Sequence, residues 1–171
     1  MKKVFLLVVA IVMIAFSGND AQAQTKIGKE HLFDLGIHYG YGTGVLGNFM
    51  GANMDFNFAN NNLRIRLDID ALQAPYKASA LCVGLGANVQ YLIALSKDDA
   101  LGLYLYPTLG LGMDFTNALN WPAKFGIGFD AGGGFEWQFA GNWALFLEAV
   151  YQVRLINQSH FAPRVGFYYA F

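Results

Sequence analysis

Arg164-Val165-Gly166-Phe167-Tyr168-Tyr169-Ala170-Phe171, the last eight residues, fall into two alternating sets. Val165, Phe167, Tyr169 and Phe171 alternate with Arg164, Gly166, Tyr168 and Ala170. This is the period-2 pattern of a strand whose two faces meet different surroundings. One face is apolar and aromatic; the other carries a charge and small residues.

The same theme recurs upstream from His31, in stretches of about ten residues separated by turn signals. The first, His31 to Tyr41, sets Phe33, Leu35, Ile37 and Tyr39 against Asp34, Gly36 and His38, and a Gly-rich loop is expected over Gly42 to Phe49. The second, Met50 to Ala59, sets Ala52, Met54, Phe56 and Phe58 against Asn53, Asp55 and Asn57, and Asn60-Asn61-Asn62 turns into the third. There Leu63, Ile65, Leu67 and Ile69 alternate with Arg64, Arg66, Asp68 and Asp70. After a loop around Pro75, a fourth strand is expected over Ser79 to Ile93, ending at the charged turn Ser96-Lys97-Asp98-Asp99. The fifth, Ala100 to Phe115, turns Tyr104, Tyr106, Thr108 and Asp114 to the polar side, while Pro107 on the apolar side predicts a bulge or an irregular ladder position. Asn120-Trp121-Pro122 leads to the sixth, Lys124 to Phe139, with Asp130, Glu136 and Gln138 among its glycines. The seventh, Trp143 to Leu155, carries Phe146, Glu148, Gln152 and Arg154, and a loop from Ile156 to Phe161 delivers the eighth.

Composition narrows what such strands can build. The chain is 55% hydrophobic and only 13% charged, against about 25–35% charged residues on an ordinary soluble surface. Met1 to Ala23 reads as a secretory leader for Sec-type export: Lys2 and Lys3, an apolar run from Val4 to Phe16, and a small-x-small cleavage site at Ala21-Gln22-Ala23. Residues 24–171 then form one domain. No apolar run after the leader reaches the roughly 20 residues of a spanning helix. In lipid every backbone polar group needs an internal partner, so a greasy exported chain without spanning helices points to a closed barrel. Cys82 is the only cysteine, a small filler rather than half of a disulfide. A formal charge of −1 gives no reason to expect nucleic acid as a partner.

The closing octapeptide resembles the C-terminal β-signal of bacterial outer-membrane barrels: polar, any, glycine, any, any, aromatic, any, aromatic. Arg164, Gly166, Tyr169 and Phe171 occupy the specified places. The chain as a whole resembles the small eight-stranded outer-membrane barrels of the X-type and A-type families of Gram-negative bacteria. That resemblance implies an all-β, eight-stranded antiparallel up-and-down transmembrane barrel in the outer membrane. It also implies outer-membrane lipid and lipopolysaccharide as surroundings, and the barrel assembly machinery and periplasmic chaperones as partners during biogenesis. Members of these families serve as structural or stress-related envelope proteins, adhesins or narrow, porin-like channels. Short expected extracellular loops and no periplasmic peptidoglycan-binding segment set this chain apart from several of them.

A soluble lipid-binding barrel would show the same alternation turned inside out. The polar set argues against it, because it is rich in glycine and poor in lysine, as suits a narrow interior where bulk must be rationed. Tyr91, Trp137, Phe139, Trp143, Tyr169 and Phe171 are expected at one rim, and Tyr39, Tyr41, Phe115 and Phe125 at the other, depths that favour aromatics.

The interior is therefore the candidate site. Eight carboxylates (Asp34, Asp55, Asp68, Asp70, Asp114, Asp130, Glu136, Glu148) face four arginines (Arg64, Arg66, Arg154, Arg164) and His38. Arg66 is expected opposite Asp55 or Asn57, and Arg154 diagonal to Asp130. A hydrogen-bonded ionic plug is one reading; a narrow cation-preferring path, prompted by the carboxylate excess, is another. A third, a lipid A-modifying enzyme, would draw on Ser159, His160 and Glu148, but neighbouring strand residues face opposite ways and Glu148 lies far along its strand. Asp34 and His38 share a face at about 13 Å, too far for a dyad. The sequence shows no metal-ligand cluster and implies no cofactor.

Overall fold

The computed structural model describes residues 31–43, 47–58, 62–73, 81–95, 102–117, 124–140, 142–155 and 159–171. The expected leader, most of the Asn60-Asn61-Asn62 turn, the Pro75 loop, the Ser96–Asp99 turn, the Asn120-Trp121-Pro122 loop and the Cys82 side chain lie outside the described residues.

Eight antiparallel strands make up the described chain: β1 (Phe33–Gly42), β2 (Gly47–Asn57), β3 (Leu63–Gln73), β4 (Leu81–Tyr91), β5 (Leu103–Asn117), β6 (Lys124–Ala140), β7 (Trp143–Arg154) and β8 (His160–Ala170). Ile93–Ala94 prolongs β4 beside β5. Each strand pairs with the next in sequence, and β1 pairs with β8, from Asp34↔Ala170 to Gly40↔Arg164. The sheet is thereby closed and has no edge, which is what a strand architecture needs in a medium that offers the backbone no hydrogen bonds.

Alternation along every strand sorts the residues as their chemistry demands. Leu109, Leu111, Phe129, Ile69 and Leu147 are more than half exposed on the outside. Arg64, Arg66, Asp55 and Glu136 are buried inside. A soluble protein inverts this order, so the exterior suits hydrocarbon and the interior is the polar phase. Aromatic clusters mark both rims. At the lower end, Trp143 stacks edge-on with Tyr169 at 5.0 Å, Tyr169 with Phe171 at 5.0 Å, and Phe33 lies 5.9 Å from Phe171. At the upper end Phe115 and Phe125 meet at 5.0 Å.

Strand limits differ from the sequence reading by a residue or more at several ends, and two of these change a loop into ladder. Gly42 and Gly47 to Phe49, expected in a loop, belong to the ladder, with Gly42 paired to Gly47; glycines at the mouth of the hairpin tolerate either state. β8 begins at His160, where pairing with Gln152 extends the β7–β8 ladder. Pro107 does not bulge against β6, where it pairs in register with Gly133. Its irregularity lies toward β4, where the ladder lapses between Gln90↔Thr108 and Ile93↔Leu105 and resumes in the same register. A proline has no N–H to donate, and this gap is the consequence. The register shift between strands falls instead at Gln138/Ala140, beside the β6–β7 turn.

Candidate functional site

The lumen is crossed by a chain of ion pairs in which each arginine lies between carboxylates from different strands. Arg64 holds Glu136 at 2.6 Å across the barrel and lies 3.7 Å from Asp55. Arg66 grips Asp55 with two parallel hydrogen bonds of 2.7 Å, and its remaining nitrogen donates to Glu148 at 3.0 Å. Arg164 donates to the other Glu148 oxygen at 2.6 Å and reaches Asp68 at 3.1 Å. The series Glu136, Arg64, Asp55, Arg66, Glu148, Arg164, Asp68 thus links β6, β3, β2, β7 and β8 without a break. The planar guanidinium, with its five donors, makes two-sided pairing of this kind possible.

Neutral side chains complete the series. Gln90 accepts from Arg64 Nε at 2.8 Å and donates to Glu148 at 3.2 Å. Tyr106 donates to Glu148 at 2.9 Å, and Tyr168 donates to Glu136 at 2.5 Å. Aromatic faces cover the cations: Arg66 lies 4.4 Å over Phe146, and Arg64 lies between Tyr106 and Tyr168 at 5.4 and 5.5 Å. Two glycines make room for these rings. A Cβ on Gly166 would stand 2.5 Å from Phe146, and one on Gly134 would overlap the Tyr106 ring.

Three smaller groups stand beside this series. Arg154 joins Asp114 at 2.6 Å and Asp130 at 2.5 Å. His38 donates to Asp70 at 2.6 Å across Gly51, which pairs with both in register. Asp34 accepts from Asn57 at 2.7 Å near the lower rim. All thirteen charged lumen residues singled out from the sequence are buried in the interior; Arg66 contacts Asp55, one of its two expected partners, and Arg154 contacts Asp130. Sequence reasoning did not find the cross-lumen partners or the covering rings. The only signal for them was an inward aromatic at Tyr106, Phe146 and Tyr168.

Ser159, His160 and Glu148, the residues of the enzymatic reading, each engage other partners. His160 Nε2 meets the Gln152 side-chain oxygen, the Ser159 hydroxyl accepts from the Arg154 backbone N–H at 3.3 Å, and Glu148 is engaged by Arg66, Arg164, Gln90 and Tyr106. Asp34 and His38 are held by different partners. Of the expected β-signal residues, Arg164 and Gly166 face the lumen, whereas Tyr169 and Phe171 belong to the outer aromatic cluster.

No family model and no curated protein sequence matches the chain. Solved structures do. The N-terminal β-barrel domain of Pseudomonas aeruginosa OprF matches over 81% of this chain and 97% of its own, with a TM-score of 0.63 at 13% identity. Neisserial surface protein A matches over 81% and 96%, with a TM-score of 0.57 at 16% identity. Ail, the attachment invasion locus protein of Yersinia pestis, matches over 81% and 96%, with a TM-score of 0.59 at 12% identity. At such identities the likeness is one of backbone architecture. Closed by β1 against β8, apolar outside and ionic within, the chain has the fold of the small eight-stranded outer-membrane β-barrels.

Proposed function

We propose that the protein is a non-enzymatic component of a Gram-negative outer membrane, a structural envelope barrel whose lumen is filled by its own side chains. One observation carries this reading. Asp55, Arg66, Glu136, Phe146 and Tyr168 are all at 0% exposure in mid-lumen, which supports a centre closed to bulk water. Without a water path, ions have no continuous route. In this reading outer-membrane lipid and lipopolysaccharide surround the apolar exterior. Arg164, Gly166, Tyr169 and Phe171 serve as the signal read by the assembly machinery, and periplasmic chaperones carry the chain to it.

Planar-bilayer recording of the refolded protein tests the proposal, with folding verified by the heat-dependent gel shift of a barrel. A silent bilayer is expected. The carboxylate excess in the lumen favours one second reading, a narrow cation-preferring channel. Reproducible small cation-selective steps, reduced when Asp68 and Asp70 are neutralised, would replace the first reading with that one.

A further inference from the structure

Four short side chains lie side by side on the outside of the barrel. Pro107 pairs with Gly133, Gly133 with Ala149 and Ala149 with Pro163, so one register row across β5, β6, β7 and β8 carries nothing longer than a proline ring. By contrast, Ala52 stands between Ile37 and Ile69, and Ala87 between Leu67 and Leu111. The rows on either side of the short one are tall. Leu105, Phe135, Leu147 and Val165 form a lower bank, and Tyr151 and Phe161 rise above. The groove between them comprises two open hollows of about 500 and 670 Å³, which meet at Gly133. Pro107 explains the larger one. Without its N–H the ladder to β4 lapses, Leu92 turns inward and donates to Asn62 O at 2.8 Å, and the hollow opens between Tyr91 and Pro107.

The groove runs obliquely. Pro163 lies near the upper end of β8 and Pro107 near the lower end of β5, and Tyr91 closes the lower end on β4. From Tyr41 on β1 to Tyr91 on β4 there are five strand spacings, about 24 Å in all. With strands tilted about 40° the groove descends roughly 15 Å, the depth of one leaflet in a hydrocarbon core of about 30 Å. Its place and shape select the occupant. It lies between the two aromatic rims on the face that meets hydrocarbon, so whatever fills it comes from the bilayer. A second barrel is convex, and the exposed Leu147 and Phe161 hold it off the floor. An extended hydrocarbon chain has the length and the narrow section to lie along it. The larger hollow opens at the lower rim, the side of the leaflet built from phospholipid.

We propose that this groove binds one acyl chain of a periplasmic-leaflet phospholipid, with the headgroup beside Tyr91 and the chain rising over Pro107, Gly133 and Ala149. The proposal rests on the outer-membrane reading, which puts this face in lipid. The protein is refolded into vesicles of palmitoyl-oleoyl phosphatidylethanolamine and lipopolysaccharide, released into mild detergent and weighed by native mass spectrometry. One phosphatidylethanolamine stays with each barrel. Ala149→Phe, which sets an outward ring on the floor of the groove, lowers the retained fraction several-fold. Ala87→Phe, which adds the same ring on the exposed face of β4 away from the groove, leaves it unchanged. In crystals grown with phosphatidylethanolamine dibrominated on one chain, bromine anomalous density lies over Gly133. A parent barrel that keeps no lipid, equal retention by Ala149→Phe, or bromine absent from the groove overturns the proposal. Lipopolysaccharide retained in place of phospholipid overturns it too, as does a dimer that Ala149→Phe dissolves, since a second copy would then be the occupant. A protein that does not insert into the vesicles refutes the outer-membrane reading instead, so the two failures are distinguishable.

Discussion

Arg66→Met is the most exacting perturbation of the lumen. Methionine keeps much of the stem and the contact with Phe146 but removes the guanidinium. Asp55, at 0% exposure, loses both of its 2.7 Å hydrogen bonds, and the nearest remaining cation is Arg64, at 3.7 Å. Glu148 is affected less, because Arg164 and Tyr106 still hold it at 2.6 and 2.9 Å. Removing one partner of a buried pair costs about 3–5 kcal/mol, most of it from the charge left behind. Asp55 is the group so exposed to loss, and the full figure applies to it. At a urea slope of about 2 kcal/mol/M the unfolding midpoint falls by roughly 2 M. The measurement is equilibrium unfolding in lipid vesicles, followed by the gel shift and by tryptophan fluorescence. Asp55→Leu combined with Arg66→Met removes both charges and should recover most of the loss, since apolar replacement of a buried pair is often neutral. An Arg66→Met protein within about 1 kcal/mol of the parent would refute the reasoning, because Asp55 would then have to find compensation the geometry does not provide.

Tyr168→Phe removes a hydroxyl that donates to Glu136 and accepts from Arg64 at 3.2 Å. It should destabilise by about 1–3 kcal/mol in the same assay, without conductance appearing. Leu109→Arg, on the exterior where Leu109 is 55% exposed, should cost about 2–4 kcal/mol in a bilayer; a negligible cost would show that this face does not meet hydrocarbon. Deleting Phe171 removes its backbone hydrogen bond to Phe33 at 2.9 Å and its ring contact with Tyr169. Insertion in cells should fall several-fold, read as the folded fraction on unheated gels, and normal insertion would undermine the β-signal assignment.

How far the sequence could be read follows from the range of each interaction. Facing is a local property with period 2, so Asp34, His38 and Arg154 could be assigned inward without knowing any neighbour. Pairing between adjacent strands needs only the register of one hairpin, and this left Arg66 a choice between Asp55 and Asn57, which the Asp55↔Arg66 register resolves. Contacts across the lumen obey neither rule. Arg64 meets Glu136 across 72 positions and Arg164 meets Asp68 across 96. Which residues face each other there depends on how far the strands tilt and slide as the barrel closes. That stagger leaves no trace in alternation. Pro107 was legible as an irregularity but not as to which neighbouring strand would feel it, because the missing N–H points to only one of them.

The inward glycines bring the local and long-range patterns together. Gly51 lies between His38 and Asp70 in register, and Gly84 between Asp70 and Asp114. In each case the missing side chain lets residues two strands apart approach over the gap. At Gly51 the gap is closed by a hydrogen bond of 2.6 Å; at Gly84 the flanking groups are both acidic, and each turns to its own cation, Asp70 to His38 and Asp114 to Arg154. Elsewhere the same device seats rings, with Gly166 beneath Phe146 and Gly134 beneath Tyr106. Glycine weakens a strand that must hold itself together alone. In a barrel closed on all sides the ladder is held by both neighbours, and glycine instead sets where the long charged residues cross. Most apolar residues of this chain lie on the outside, and the interior holds only small apolar clusters such as Ala144, Phe146, Tyr168 and Ala170, so fixing those crossings does much to make the centre of the barrel solid.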